Sequence, residues 1–189
     1  MMLQLQDLGC HNVNLVSPSH VVPQILAALE KAISEGLHIP LVYNTGGYDN
    51  PDTLALLEGI VDIYMPDFKF WNPESSRAYC DVPDYPEVAR QALLVMHRQV
   101  GELTTDADGI ARCGMIIRHL VMPQGLTETR HILTFIAEQL SRDTYVNLMP
   151  QYRPCGQAGE FPALSRSLNS RDFEAAVLAA LKIGLRRLD

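Results

Sequence analysis

The chain has 189 residues, 47% of them apolar, which is enough to bury a sizeable core within one domain covering residues 1–189. Its formal net charge of −7 is the wrong sign for a surface that neutralises phosphates, so nucleic acid is not an expected partner. No run approaches the roughly 20 apolar residues that cross a bilayer, and the opening Met1-Met2-Leu3-Gln4-Leu5-Gln6-Asp7 lacks a basic segment followed by an apolar one; the sequence reads as a cytoplasmic protein with no membrane partner.

Met1 to Gly9 reads as the last turns of a helix closed by Gly9, with no strand ahead of it. A parallel sheet normally starts with a strand, so the expectation is that a first βα unit lies upstream; a short helix that merely caps the sheet is the alternative. A strand is then predicted over Asn12 to Val16, followed by a helix whose stripe is Val22, Ile25, Leu26, Leu29 and Ile33, ending at Gly36. Ile39 to Tyr43 forms the second strand, Pro51 to Glu58 a short helix, and Ile60 to Met65 the third strand. Pro86 opens a helix carrying Val88, Ala92, Val95, Met96 and Val100. Asp106-Ala107-Asp108-Gly109 begins like a calcium loop but lacks its closing acidic residue, and is predicted to be a hairpin turn. Met115 to Val121 is the fourth strand. A helix follows Thr127 on Ile132, Phe135, Ile136 and Leu140, Tyr145 to Met149 is the fifth strand, and a last helix follows Asn169-Ser170 on Phe173, Ala176, Val177, Ala180 and Leu181. Strands alternating with one-sided helices are the pattern of βα units around a parallel sheet.

Cys10, Cys80, Cys113 and Cys155 lie far apart, without the close spacing of a zinc or iron–sulfur loop, and are read as small buried hydrophobes.

In barrels of parallel strands functional groups gather at the C-terminal strand ends. On the third strand Val61, Ile63, Met65, Asp67 and Lys69 share one face by the two-residue period, apolar at the base and charged at the top. A polar site at the top, or a solvated exit loop, explains that gradient. The first strand runs into Ser17-Pro18-Ser19-His20, the second into Asn44-Thr45-Gly46-Gly47, and the fifth into Pro150-Gln151-Tyr152. Gly46-Gly47 suits either close approach to a ligand or a tight turn. Arg118 and His119 interrupt the fourth strand, and alternation sends one of them inward. An inward Arg118 needs an anionic ligand or an internal partner, for which Asp62 and Asp67 are the candidates.

Asn44-Thr45-Gly46, Met65-Pro66-Asp67-Phe68-Lys69, Arg118 to Pro123 and Leu148-Met149-Pro150, in that order, resemble the successive strand motifs of the pyruvate formate-lyase activating enzymes. The runs Val42 to Asp49 and Tyr64 to Phe70 resemble more closely a less characterised branch of the same radical S-adenosylmethionine (SAM) family, and the resemblance covers nearly the whole chain. It implies a partial (β/α)6 radical SAM barrel of the TIM-like kind, with about five parallel strands and outer helices, holding SAM across the strand tops beside a [4Fe–4S] cluster. The cluster would reduce SAM to a 5′-deoxyadenosyl radical that takes hydrogen from a glycine, as in a glycyl-radical enzyme, or from a small-molecule substrate. By position, Asp67 and Lys69 would lie at the amino-acid end of SAM and Arg118 near its cleft; His20 would stand where the family receives the SAM amino group. Asn44, Thr45, Met65 and Asp67 match the positions that hold a monovalent cation.

The departures are specific. Pro18-Ser19-His20 replaces a Gly-Gly-Glu motif, Asn44 stands for Asp, and Tyr152 for His. The Cys-x-x-x-Cys-x-x-Cys loop is absent, so no iron–sulfur cysteines are found and the chain alone is not expected to cleave SAM reductively. The leading expectation is therefore a shortened radical SAM oxidoreductase whose cluster loop lies upstream. Its rivals are a SAM-binding or interaction module without catalysis, and a barrel hydrolase or lyase using His20, Asp67 and Lys69 as acid–base groups. A missing first unit would also expose a strand edge and invite a homodimer.

Overall fold

A computed structural model describes residues 1–125 and 127–189 with their side chains, and residue 126 by its place in the chain. The elements run α1 (Met2–Asp7), β1 (Val13–Val16), α2 (Val22–Ser34), β2 (Leu41–Thr45), α3 (Pro51–Ala55), β3 (Ile63–Pro66), α4 (Pro73–Cys80), α5 (Tyr85–Val100), β4 (Thr104–Thr105), β5 (Ala111–Leu120), α6 (Leu126–Phe135), β6 (Tyr145–Met149), α7 (Ser170–Ile183) and β7 (Arg187–Leu188). The architecture is α/β, with strand order β1-β2-β3-β5-β6-β7 and β4 paired to β5. β1–β2, β2–β3, β3–β5 and β6–β7 pair in parallel, and β4–β5 is an antiparallel hairpin.

Two compact units are present, one of residues 1–66 and 91–116, the other of residues 67–90 and 117–189. In the first, Val13, Leu29, Ala32, Leu37 and Leu41 form a core against which Met2, Leu5 and Ile25 pack. Gly114 is required where β5 passes Glu102: its φ is +114°, and a Cβ there would lie 2.3 Å from the Glu102 carbonyl oxygen. In the second unit Ile117, Ile132, Leu133, Ile136 and Val146 are fully buried, α6 packs against α7, and the rings of Phe68 and Phe135 meet edge to face at 5.8 Å.

Most predicted elements are present, and the shifts in their bounds have local causes. β2 begins at Leu41, not Ile39, because Pro40 has no N–H to give to a ladder. β3 begins at Ile63, not Ile60, because the amides of Ile60 and Val61 both donate to the Leu57 carbonyl and close the preceding turn. β5 reaches back to Ala111 through its hairpin with β4, whose turn is the predicted one at Asp106 to Gly109. That carboxylate accepts from the amides of Asp108 and Ile110 and from Arg112 Nε, which hold it below the usual range, the main-chain bond from Ile110 most strongly. The predicted helix through Leu140 widens after Phe135 into a π-helix over Ile136–Leu140. Gly9, Gly36 and Gly184 take positive φ after α1, α2 and α7.

Candidate functional site

β3 ends at Pro66, but a bridge at Asp67 and the alternation of buried and partly exposed residues carry its pattern on to Phe70. From Tyr64 to Phe70 the even-numbered residues are buried and Met65, Asp67 and Lys69 are partly exposed, so the charged row faces an opening and the row of Pro66, Phe68 and Phe70 faces the interior. Asp67 bridges in parallel to Arg118 at the end of β5. Its side chain, 13% exposed, is held from two sides: Arg118 Nε and Nη2 reach Oδ1 at 2.8 and 2.7 Å, and Lys69 Nζ reaches Oδ2 at 2.7 Å. Of the two partners open to Arg118 it takes Asp67, while Asp62 accepts the main-chain amide of Leu41.

The main chain between these groups is tied as firmly. Phe68 N–H donates to the Arg118 carbonyl at 2.9 Å. The phenol of Tyr85 accepts from Lys69 N–H at 3.0 Å and donates to the Asp67 carbonyl at 3.1 Å. His119, buried, places Nδ1 2.7 Å from the Phe68 carbonyl and Nε2 2.9 Å from Thr129 Oγ1. A carbonyl only accepts, so the proton sits on Nδ1 and the threonine hydroxyl donates to Nε2. Burial pushes the imidazole pKa down and keeps it neutral.

Beside Lys69 lies a cavity of about 160 Å³. Tyr79, Leu120, Met122, Gln124 and Leu164 are among its walls. Gln124 has φ +60°, a left-handed backbone that is uncommon for a residue other than glycine. Tyr152 donates from its hydroxyl to the Leu164 carbonyl at 2.8 Å and so fixes one wall. Glu128 accepts from the amides of Trp71 and Asn72 and from Ser75 Oγ, capping the start of α4 from a distant part of the chain.

The other predicted residues belong to the first unit. His20 is exposed at the end of a short 3₁₀ turn, Pro18–His20. Asn44 is the register partner of Met65 on β3, and its carbonyl accepts from Ser17 N–H at 2.8 Å. Thr45, one residue on, points the other way. Its hydroxyl donates to Asp49 Oδ2 at 2.5 Å, and Gly47 N–H returns to it at 3.2 Å, so Gly46-Gly47 forms a tight turn. Asp49, 2% exposed, also accepts at Oδ1 from Ser19 Oγ at 2.6 Å and from Tyr43 OH at 2.9 Å. Burial above all raises the Tyr43 phenol well above its ordinary range; the hydrogen bond from Ser19 lowers it, and the Asp49 charge adds a smaller rise. Asp67, Lys69 and Arg118 are thus brought together, as are Asn44 and Met65. Two residues given no role in the sequence reading, Tyr85 and Asp49, turn out to organise the strand ends.

The four cysteines are free: Cys10 and Cys113 partly exposed, Cys80 and Cys155 exposed. Among the described residues no three His, Cys, Asp or Glu side chains gather as a metal site, and no helix is long and apolar enough to cross a membrane.

No protein-family profile matches the chain. It is 35% identical over 176 residues to the uncharacterized protein MJ0674 of Methanocaldococcus jannaschii, which covers 92% of this chain; the chain spans about half, 47%, of that relative's length. Among solved structures it is similar to a domain of pyruvate-formate lyase-activating enzyme from Bacteroides vulgatus, with a TM-score of 0.63, 14% identity, and coverage of 94% of this chain and 96% of that one. At that identity the likeness establishes the fold class, a mostly parallel sheet with outer helices as in a partial TIM-like barrel.

Proposed function

We propose that the chain is a SAM-binding portion of a cytoplasmic radical SAM enzyme, and that Asp67, Lys69 and Arg118 hold the amino-acid end of SAM. The observation that carries this reading is the Asp67 carboxylate clamped by Lys69 and Arg118 on a partly exposed strand-end face. A SAM amino-acid group is a zwitterion, and this donor set suits it: Asp67 can accept the ammonium while Lys69 or Arg118 turns to the carboxylate. The fold of the activating-enzyme domain supports the same reading by analogy.

SAM, when bound beside a reducing cluster, supplies a 5′-deoxyadenosyl radical for hydrogen abstraction from a glycine or a small substrate. The residues of this chain do not fit the cluster itself. Its cysteines are scattered singly, and no cluster step is assigned to them. Of the residues matched to the monovalent-cation positions, Thr45 donates its hydroxyl proton to Asp49, and Asp67 accepts from Lys69 and Arg118; the oxygens of both keep lone pairs that a cation could use.

Isothermal titration calorimetry of the 189-residue chain with SAM tests the proposal. Saturable heat is expected, with affinity roughly tenfold weaker for Lys69→Ala, the loss of one charge-assisted contact. No heat with the unaltered chain, or equal affinity in the variant, would overturn it.

A further inference from the structure

We infer that Tyr85 and His119 are positioning residues for the Asp67–Lys69–Arg118 clamp, acting through the main chain of Asp67, Phe68 and Lys69. The last register pair between β2 and β3 is Thr45 with Pro66, so residues 67–69 run beyond that ladder. A strand that loses its ladder partners frays, because its amides and carbonyls turn to water. Here two side chains stand in for the missing partners. The single phenol of Tyr85 spans two residues of the strand, taking the Lys69 amide and giving to the Asp67 carbonyl. The imidazole of His119 takes the carbonyl between them, and is itself anchored to Thr129 on α6. The amide of Phe68 is held by Arg118, next to His119 in the chain.

The consequence is geometric. Extended backbone places residues 67 and 69 on the same face, and there Lys69 Nζ meets Asp67 Oδ2 at 2.7 Å while Arg118 meets Oδ1. Tyr85 and His119 touch neither carboxylate oxygen of Asp67 nor the Lys69 ammonium in these bonds; they set the backbone from which those groups project. A site held by packed, hydrogen-bonded supports needs no ordering when its ligand arrives. The inference rests on the proposed SAM reading for its effect on binding, but its structural half stands by itself.

The test uses Tyr85→Phe, which keeps the ring and removes only the bridging hydroxyl, together with His119→Gln. Four quantities are read: the thermal midpoint, SAM affinity, amide hydrogen exchange, and the side-chain ¹⁵N signal of Lys69. For Tyr85→Phe the expected result is a folded protein whose Lys69 amide exchanges at least about tenfold faster, whose Lys69 ammonium signal moves, and whose SAM affinity falls roughly tenfold, the size of one lost net hydrogen bond. Faster exchange confined to residues 67–69, with other core amides unchanged, separates positioning from general destabilisation. Unchanged exchange and an unchanged ammonium signal in Tyr85→Phe would overturn the inference. Should the unaltered chain fail to bind SAM, the functional reading falls while the exchange and ammonium measurements still decide the positioning role. If His119→Gln fails to fold, Tyr85→Phe alone decides.

Discussion

Asp49 and Asp67 are both strand-end carboxylates, one in each compact unit, and their surroundings are opposite. Asp49 is 2% exposed and receives three hydroxyls, from Ser19, Tyr43 and Thr45. Asp67, 13% exposed in its side chain, receives two cations. The buried Tyr43 and Thr45 hydroxyls cannot turn to another ligand without leaving the buried Asp49 charge poorly solvated, which is very costly. Lys69 and Arg118 are long, partly exposed and charged in their own right, so they can exchange one carboxylate for another with little loss. The contrast teaches that a buried carboxylate taken up by hydroxyl donors fixes a loop, whereas one paired with partly exposed cations leaves charged groups that a ligand can reach.

Removing Asp49 should have the largest effect on stability. Asp49→Ala leaves the buried hydroxyls of Tyr43 and Thr45 without their acceptor, and urea denaturation should show a loss of about 3 kcal/mol. Asp67→Ala should cost only about 1 kcal/mol, because Lys69 and Arg118 reach water, yet it should weaken SAM binding at least roughly tenfold in calorimetry. Equal losses of stability at the two positions would erase the distinction between cage and clamp.

The pH dependence sharpens the same contrast. Unfolded, His119 takes up a proton near its ordinary value of 6.5, whereas the folded protein resists protonation until lower pH. The unfolded state therefore binds more protons in that window, and stability should fall as pH drops below 6.5; His119→Gln should remove that part of the slope in denaturation curves. At the cage the sign reverses. Tyr43 loses its proton near 10.0 when unfolded and only at higher pH when folded, so its contribution is complete below pH 10.0 and declines as pH rises beyond it. Tyr43→Phe should flatten that alkaline decline, the smallest of these effects.

Much of the fold is legible in the residues because local rules and tertiary packing agree there. β6 occupies Tyr145–Met149 as its alternation requires, and α7 starts where Asn169 caps it by accepting from Asp172 N–H. The gradient from Val61 to Lys69 correctly marked a row that is buried at its base and open at its top. α4 was not legible: Pro73–Cys80 has no apolar stripe, and its start is held by Glu128, a partner far along the chain. Asp49, beside Gly46-Gly47-Tyr48, reads as an ordinary turn residue, and nothing local shows that Ser19 arrives to complete its cage. Tyr85 stands just ahead of Pro86, where the sequence opens an amphipathic helix, and its role at the strand end depends on where Asp67 and Lys69 end up.

The most direct measurement follows the side-chain ¹⁵N signals of Lys69 and Arg118 by NMR while SAM is added to the chain. The account predicts that both signals shift and saturate at one midpoint, and that 5′-deoxyadenosine, which lacks the amino-acid end, leaves them in place. SAM that binds without moving either signal would contradict it.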